Sequence, residues 1–157
     1  MSPQVTIEAA GPQHIDTLRA LFREYEAMLG EDLCFQGFEQ ELAGLPGKYA
    51  PPAGRLLIAL DQPEAAGCVA VRPAGPDTCE MKRLFVRPAY RGIGLGRQLA
   101  SRSMEEARTA GYSVMLLDTL DRLTEARALY RSLGFEEVAP YYRNPLPGVV
   151  YLKRNLA

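Results

Sequence analysis

The sequence contains no tryptophan, a single histidine and three cysteines, and it has no apolar run long enough to span a membrane. The cysteines, Cys34, Cys68 and Cys79, are odd in number and lack C-x-x-C spacing, so neither a disulfide framework nor a Cys/His zinc site is predicted. We expect no metal ion. We interpret the cysteines as small buried hydrophobic residues, because the chain has no second histidine to activate a thiol.

A secretory signal is also missing, since the N-terminus lacks a basic start and an apolar stretch, and we expect a cytoplasmic protein without membrane contact. With 157 residues, of which 47% are hydrophobic, residues 1–157 are predicted to form a single domain around one core. A formal net charge of −1 argues against a nucleic-acid partner. The sequence leaves the oligomeric state open, and a homodimer is compatible with it.

Two stretches of the chain lack charge of one sign. No acid occurs from Met81 to Met104, and no base occurs between Arg23 and Lys48. The first stretch contains the basic residues Lys82, Arg83, Arg87, Arg91, Arg97 and Arg102, and the second contains the acids Glu24, Glu26, Glu31, Asp32, Glu39 and Glu41. We therefore expect two parts of the protein to carry opposite charge.

The periodicity of apolar residues predicts seven strands and four helices. The predicted strands cover 5–9, 55–60, 65–72, 78–86, 112–119, 135–138 and 149–152, and the predicted helices cover 15–29, 38–45, 95–110 and 126–133. Short polar turns indicate an antiparallel meander, and a strand-helix-strand crossover follows it. The predicted fold class is α/β, with a mixed, mostly antiparallel sheet of about six to seven strands and about four helices on its two faces.

A glycine-rich segment joins the strand 78–86 to the next helix. The first turn of a helix leaves backbone N–H groups unpaired, and its dipole adds about half a positive charge, so phosphate can bind there. Gly92, Gly94 and Gly96 allow a close approach, and the permanent charges of Arg91 and Arg97 suit a pyrophosphate. The predicted pyrophosphate site is Arg91, Gly92, Ile93, Gly94, Leu95, Gly96 and Arg97.

The spacing of the glycines excludes two other nucleotide motifs. The dinucleotide motif G-x-G-x-x-G would need glycine at Arg97 or Leu99, and a P-loop would need a lysine and a hydroxyl residue that are absent here. NAD and ATP are therefore not predicted ligands. A glycine-rich turn that only packs a helix on the sheet is the remaining alternative, and it leaves both arginines unexplained.

Two motifs resemble those of the GNAT superfamily of acyl-CoA-dependent N-acetyltransferases. The first is [RQ]-x-x-G-x-[GA] at Arg91, Gly94 and Gly96, after the strand 80–88, and the second is A-x-x-L-Y-x-x-x-G-F over residues 126–135. The resemblance implies the GNAT fold. It also implies transfer of an acetyl group from acetyl-CoA to a primary amine, by direct attack in a ternary complex.

In similar proteins the strand that matches 79–86 carries a bulge and splays from the strand that matches 113–119, so that pantetheine pairs with its backbone. The resemblance thus assigns Leu84, Phe85 and Val86 to cofactor binding. One departure concerns Leu123, which stands where many relatives have an asparagine that contacts CoA.

The resemblance also implies two catalytic residues. Tyr130 matches the tyrosine that protonates the CoA sulfur, and Glu80 stands where some relatives carry a general-base glutamate. The alternatives are a core aromatic for Tyr130 and, for Glu80, an ion pair with an arginine such as Arg83.

The acceptor pocket of similar proteins lies between the first two helices and the loop that matches 140–145. The acid-rich stretch and the paired Tyr141 and Tyr142 suggest a small cationic amine or an exposed amino group as the acceptor. The alternative is that the acids form a solvated helix face. For the whole chain, the alternative is a catalytically silent module that binds acyl-CoA as a sensor or interaction unit and has no use for Tyr130.

Overall fold

The computed structural model describes residues 4–33 and 37–157, so Cys34 lies outside the described residues. Within them the chain forms seven strands and four α-helices. In chain order these are β1 (Thr6–Ala9), α1 (Ile15–Leu29), α2 (Phe38–Ala43), β2 (Arg55–Asp61), β3 (Glu64–Gly75), β4 (Thr78–Val86), α3 (Leu95–Thr109), β5 (Val114–Leu120), α4 (Thr124–Ser132), β6 (Glu136–Val138) and β7 (Val149–Asn155). None of the described helices is long and apolar enough to cross a membrane.

The strands form one sheet in the order β1-β2-β3-β4-β5-β7-β6. Among the described pairs β4 and β5 alone run parallel, because α3 crosses over between them, and all other neighbours are antiparallel. The predicted mixed, mostly antiparallel sheet is therefore confirmed. The predicted strand 78–86 coincides with β4, whereas α2 ends earlier than predicted because Gly44 and Pro46 do not favour a longer helix.

Helices cover both faces of the sheet, as predicted. Successive side chains of a strand point to opposite faces, so β2 contributes to two separate cores. Leu57 packs in one core with Leu99 of α3 and Tyr130 of α4. Its neighbour Ile58 packs in the other core, with Leu18 of α1. The pair α3 and α4 thus lies opposite the pair α1 and α2.

The strand β4 carries a bulge in its second half. Cys68 of β3 pairs with Phe85, but Ala70 pairs with Lys82, so β4 has one residue more than β3 in this interval. Arg83 lies at the bulge with a φ of 61°, in the left-handed region. The backbone therefore departs here from regular ladder geometry.

Next to the bulge, β4 separates from β5. The two strands pair only over Thr78–Glu80 and Val114–Leu116, and beyond these residues their edges diverge. The predicted bulge and splay are thus both confirmed. The divergence leaves the second half of β4 with a backbone edge that no strand covers within the described residues.

Candidate active site

The loop between β4 and α3 is shaped to expose backbone N–H groups. Gly94 is the N-cap of α3 with a φ of 81°, and Gly92 has a φ of 82°, conformations that side chains other than glycine rarely adopt. A Cβ added at either glycine would meet no atom within 4 Å, so open space lies in front of the loop. The first turn of α3 contains no acid, which leaves its partial positive charge available to an anion.

A groove runs from this loop along the uncovered edge of β4. Its lining includes Leu84, Phe85, Val86, Arg91, Gly92, Gly94, Leu95, Gly96, Arg97, Leu123, Thr124, Ala126 and Leu129. All predicted cofactor-binding residues except Ile93 are in this set. Ile93 is 44% exposed and is not part of this lining.

Two exposed arginines flank the groove. The Nε of Arg91 donates a hydrogen bond of 3.1 Å to the carbonyl of Val86, which places this guanidinium where the loop meets β4. Arg97, in the first turn of α3, donates to the hydroxyl of Ser132 on α4. Both charges are permanent, and they lie at the end of the groove where the helix amides point.

A second cavity, the cleft, lies next to the groove where β4 and β5 diverge. Leu84 of β4 and Leu123 at the N-cap of α4 line both cavities, so the two adjoin each other. Leu123 stands where many relatives have an asparagine, and it adds apolar surface there. The rest of the cleft lining includes Tyr25, Lys82, Arg83, Asp118, Thr119, Tyr130 and Asn144.

Tyr130 lies in the cleft, in reach of the junction with the groove. Its side chain is 8% exposed, and its ring packs edge to face on Phe135 with the centroids 5.8 Å apart. Its hydroxyl has no hydrogen-bond partner in the described part of the chain, so the O–H is left for a ligand. Burial raises the pKa of Tyr130, which keeps the phenol protonated at neutral pH.

Glu80, the predicted base, is held in a buried network beside the cleft. Its side chain is 3% exposed, and its Oε1 accepts hydrogen bonds of 2.9 Å from Nε and Nη2 of Arg72. Its Oε2 accepts a hydrogen bond of 2.8 Å from the hydroxyl of Tyr141. Glu80 does not line the cleft. Glu80 therefore forms an ion pair, which was the alternative to the base, and its partner is Arg72 and not Arg83.

Sequence reasoning missed a second carboxylate. Asp118 lies on β5 two residues beyond Leu116, where pairing with β4 has ended, and it is half-buried in the cleft lining. Its Oδ2 accepts hydrogen bonds from the hydroxyl of Tyr142 and, at 2.8 Å, from Nδ2 of Asn144. In the sequence, Asp118 is recognisable as an acid within a mostly apolar strand. That pattern does not reveal its partners Tyr142 and Asn144, which lie on a distant loop.

Arginines pair with four of the six acids in the acid-rich stretch. The ion pairs join Glu24 to Arg87, Glu31 to Arg122, Glu39 to Arg23 and Glu41 to Arg83. A fifth acid, Glu26, accepts a hydrogen bond of 3.0 Å from the backbone N–H of Leu33. Much of the negative charge of the stretch is therefore compensated within the chain, and the cationic acceptor stays a prediction.

The two described cysteines behave as predicted. Cys68 and Cys79 are fully buried free thiols. Burial raises the pKa of both, that of Cys79 to about 12, so both remain protonated and unreactive at neutral pH.

Comparison with known proteins agrees with this geometry. Residues 16–135 match the Acetyltransferase (GNAT) family. An uncharacterized N-acetyltransferase of Schizosaccharomyces pombe is 47% identical over 148 residues, which cover 93% of this chain and 91% of the relative. An IAA acetyltransferase of Azospirillum brasilense is 35% identical over 88% of this chain and 89% of its own length.

Solved structures share the fold. A GNAT-family acetyltransferase from Staphylococcus aureus superposes with a TM-score of 0.82 at 18% identity, covering 98% of this chain and all of that chain. A putative acetyltransferase from Salmonella typhimurium, solved with its cofactor acetyl-CoA, superposes with a TM-score of 0.74 at 22% identity, covering 98% of this chain and 94% of that one.

Proposed function

The chain belongs to the acetyltransferase (GNAT) family and is an acetyl-CoA-dependent acyltransferase, and from that premise we propose that it acetylates a primary amine by direct attack in a ternary complex. The adjacency of groove and cleft carries this proposal. A loop suited to an anion lies along the groove, and a protonated tyrosine lines the adjoining cleft.

The proposal places acetyl-CoA along the groove. The pyrophosphate binds the first-turn amides of α3 between Arg91 and Arg97. The pantetheine arm lies on the uncovered edge of β4, where backbone groups of Leu84 and Val86 pair with it as a neighbouring strand would. A backbone N–H at the bulge then polarises the thioester carbonyl, a contact that contributes about 2.7 to 4 kcal/mol in other acyl transfers.

The acyl transfer needs one proton donor and one proton acceptor. The amine nitrogen attacks the thioester carbon, the C–N bond forms and the C–S bond breaks, and the sulfur leaves as a thiolate. Tyr130 donates its phenolic hydrogen to that sulfur. Of the two residues predicted as catalytic, Tyr130 lines the cleft and Glu80 does not, which supports Tyr130 as the proton donor.

The acceptor class is a small amine or an exposed amino group. The ion pairs of α1 and α2 weaken the charge argument for a specifically cationic acceptor. The cleft itself is lined by the amine of Lys82, the carboxyl of Asp118 and the amide of Asn144, so its lining is polar where an acceptor would bind.

Thermal shift and turnover together test the proposal. Acetyl-CoA and CoA are expected to raise the melting temperature, whereas ATP and NAD leave it unchanged, because a ligand specific to the folded state stabilises by mass action. Release of CoA thiol should then depend on added amine. Absence of a shift with either CoA species would disprove the site. A shift without turnover of any amine would favour the silent acyl-CoA-binding module.

A further inference from the structure

We propose that Asp118 is the general base of the acetyl transfer and that Glu80 is a positioning residue that acts on it through the loop 139–148. This inference rests on the proposed acetyltransferase function. It assigns different tasks to two carboxylates on adjacent strands, where the sequence pointed to Glu80 alone.

The two carboxylates differ in whether they can contact an amine bound in the cleft. A general base must contact the substrate amine directly or through one water. Asp118 lines the cleft that also contains Tyr130, and its side-chain hydrogen bonds within the described residues, from Tyr142 and Asn144, both reach Oδ2. Its Oδ1 accepts none from the described residues. One oxygen is thus fixed while the other is available to an amine.

Glu80 has the opposite arrangement. Arg72 occupies its Oε1 and Tyr141 occupies its Oε2, and the side chain is 3% exposed. A carboxylate with both oxygens engaged and no surface on the cleft cannot take a proton from a bound amine without breaking its buried pair, which is costly.

The two carboxylates are connected through adjacent residues of one loop. Tyr141 donates to Glu80 on β4, and the next residue, Tyr142, donates to Asp118 on β5. Tyr141 and Tyr142 also pack on each other with centroids 5.4 Å apart. Glu80 therefore anchors the loop, and the loop presents Tyr142 and Asn144 to Asp118. Through this linkage, a buried glutamate with no access to the cleft acts on the position of Asp118.

The charged and titratable groups around Asp118 come from every element that surrounds the cleft. Lys82 and Arg83 extend from β4, Tyr25 from α1, Tyr130 from α4, and Tyr142 from the loop. Burial keeps Tyr130 and Tyr142 protonated by raising the pKa of each. These two tyrosines are thus neutral neighbours of Asp118.

The proton balance then closes inside the cleft. Oδ1 of Asp118 accepts a proton from the amine as the C–N bond forms, and Tyr130 supplies a proton to the departing sulfur as the C–S bond breaks. The products are an N-acetylated amine and CoA thiol. Solvent afterwards removes the proton from Asp118 and returns one to Tyr130.

Replacement of each carboxylate by its amide separates the two roles. Asp118→Asn should lower kcat by about 10²- to 10⁴-fold, the usual contribution of a general base. Its remaining activity should rise about tenfold per pH unit, since attack then depends on the amine that is already neutral in solution. Asp121→Asn, which changes an exposed carboxylate three residues away, is the matched control and should keep wild-type activity.

Glu80→Gln should lower activity less than Asp118→Asn and keep the wild-type shape of the pH profile. Tyr141→Phe should reproduce its effect, and the double variant should be no worse than either single one, because both act through one hydrogen bond. A rise of about tenfold per pH unit in Glu80→Gln, together with a wild-type pH profile in Asp118→Asn, would reverse the assignment.

A retained thermal shift with acetyl-CoA shows that each variant folds and binds the donor. If wild-type protein releases no CoA with any amine, the proposed function fails. If wild-type protein is active and Asp118→Asn matches it, the function stands and the assignment of the base is overturned.

Discussion

Arg83 at the bulge of β4 and Glu41 of α2 are joined by two hydrogen bonds, from Nε to Oε2 at 3.0 Å and from Nη2 to Oε1 at 2.9 Å. The Arg83 side chain is 2% exposed, and its guanidinium also lies 5.8 Å and 5.3 Å from the ring centroids of Tyr25 and Phe38. This buried, doubly hydrogen-bonded ion pair fixes Arg83, the residue with a positive φ at the bulge. The helix α2 thus holds the uncovered edge of β4 in shape.

Breaking this pair should destabilise the protein markedly. Glu41→Gln leaves the buried Arg83 charge without its carboxylate, and loss of one partner of a buried pair typically costs about 3 to 5 kcal/mol. Urea unfolding measures this change. The matched control is Glu39→Gln, whose pair with Arg23 is exposed and should not contribute measurably. Equal stabilities of the two variants would mean that the Arg83 pair does not anchor the bulge.

A side chain at Gly94 should abolish the binding of acetyl-CoA. A Cβ at this N-cap extends into the open space in front of the loop, where we place the pyrophosphate, and it must also adopt a φ near 81°. Gly94→Val should therefore remove the thermal shift with CoA. Gly111→Ala is the control for the backbone cost alone, because Gly111 also has a positive φ and open surroundings but lies at the far end of α3. A full CoA shift in Gly94→Val would place the pyrophosphate elsewhere.

Removal of the Tyr130 hydroxyl should slow the chemical step and leave donor binding intact. Tyr130→Phe keeps the ring contact with Phe135, so the fold and the thermal shift with acetyl-CoA should persist. We expect kcat to fall by about 10²- to 10⁴-fold, the range of a lost general acid. Tyr112→Phe is the control, since its hydroxyl contacts only the carbonyl of Ala53 among the described residues. Comparable turnover by both variants would make Tyr130 a core aromatic.

Local patterns were sufficient to predict the elements of the fold. Strand alternation in 78–86, the helix that begins after Gly94, and the motif that contains Tyr130 are all properties of neighbouring residues. Their arrangement in one sheet followed from short turns and one crossover. The glycine loop could be predicted for the same reason, because an anion site at a helix N-terminus needs only a few consecutive residues.

The partners of the charged side chains could not be predicted, because they join distant parts of the chain. Glu41 and Arg83 are 42 positions apart, and Tyr141 and Glu80 are 61 positions apart. Composition showed acids and bases in separate stretches, but the fold brings those stretches into contact and pairs Arg83 with Glu41 and Arg87 with Glu24. Asp118 was missed for a related reason, since its importance depends on where β4 and β5 diverge.

The charge of the acceptor should matter little for turnover. An uncompensated acidic surface would favour cationic amines and would lose that preference as salt screens it, over a Debye length of about 10 Å at 0.1 M. Here arginines pair with Glu24, Glu39 and Glu41, which reduces the field that acts on an approaching amine. For two amines of similar size, one with an additional cation and one without, we expect kcat/KM values within about tenfold of each other and a ratio that barely changes with salt. Steady-state kinetics at low and high salt measure that ratio. A large preference for the cationic amine that falls steeply with salt would show that unpaired acids line the path to the cleft.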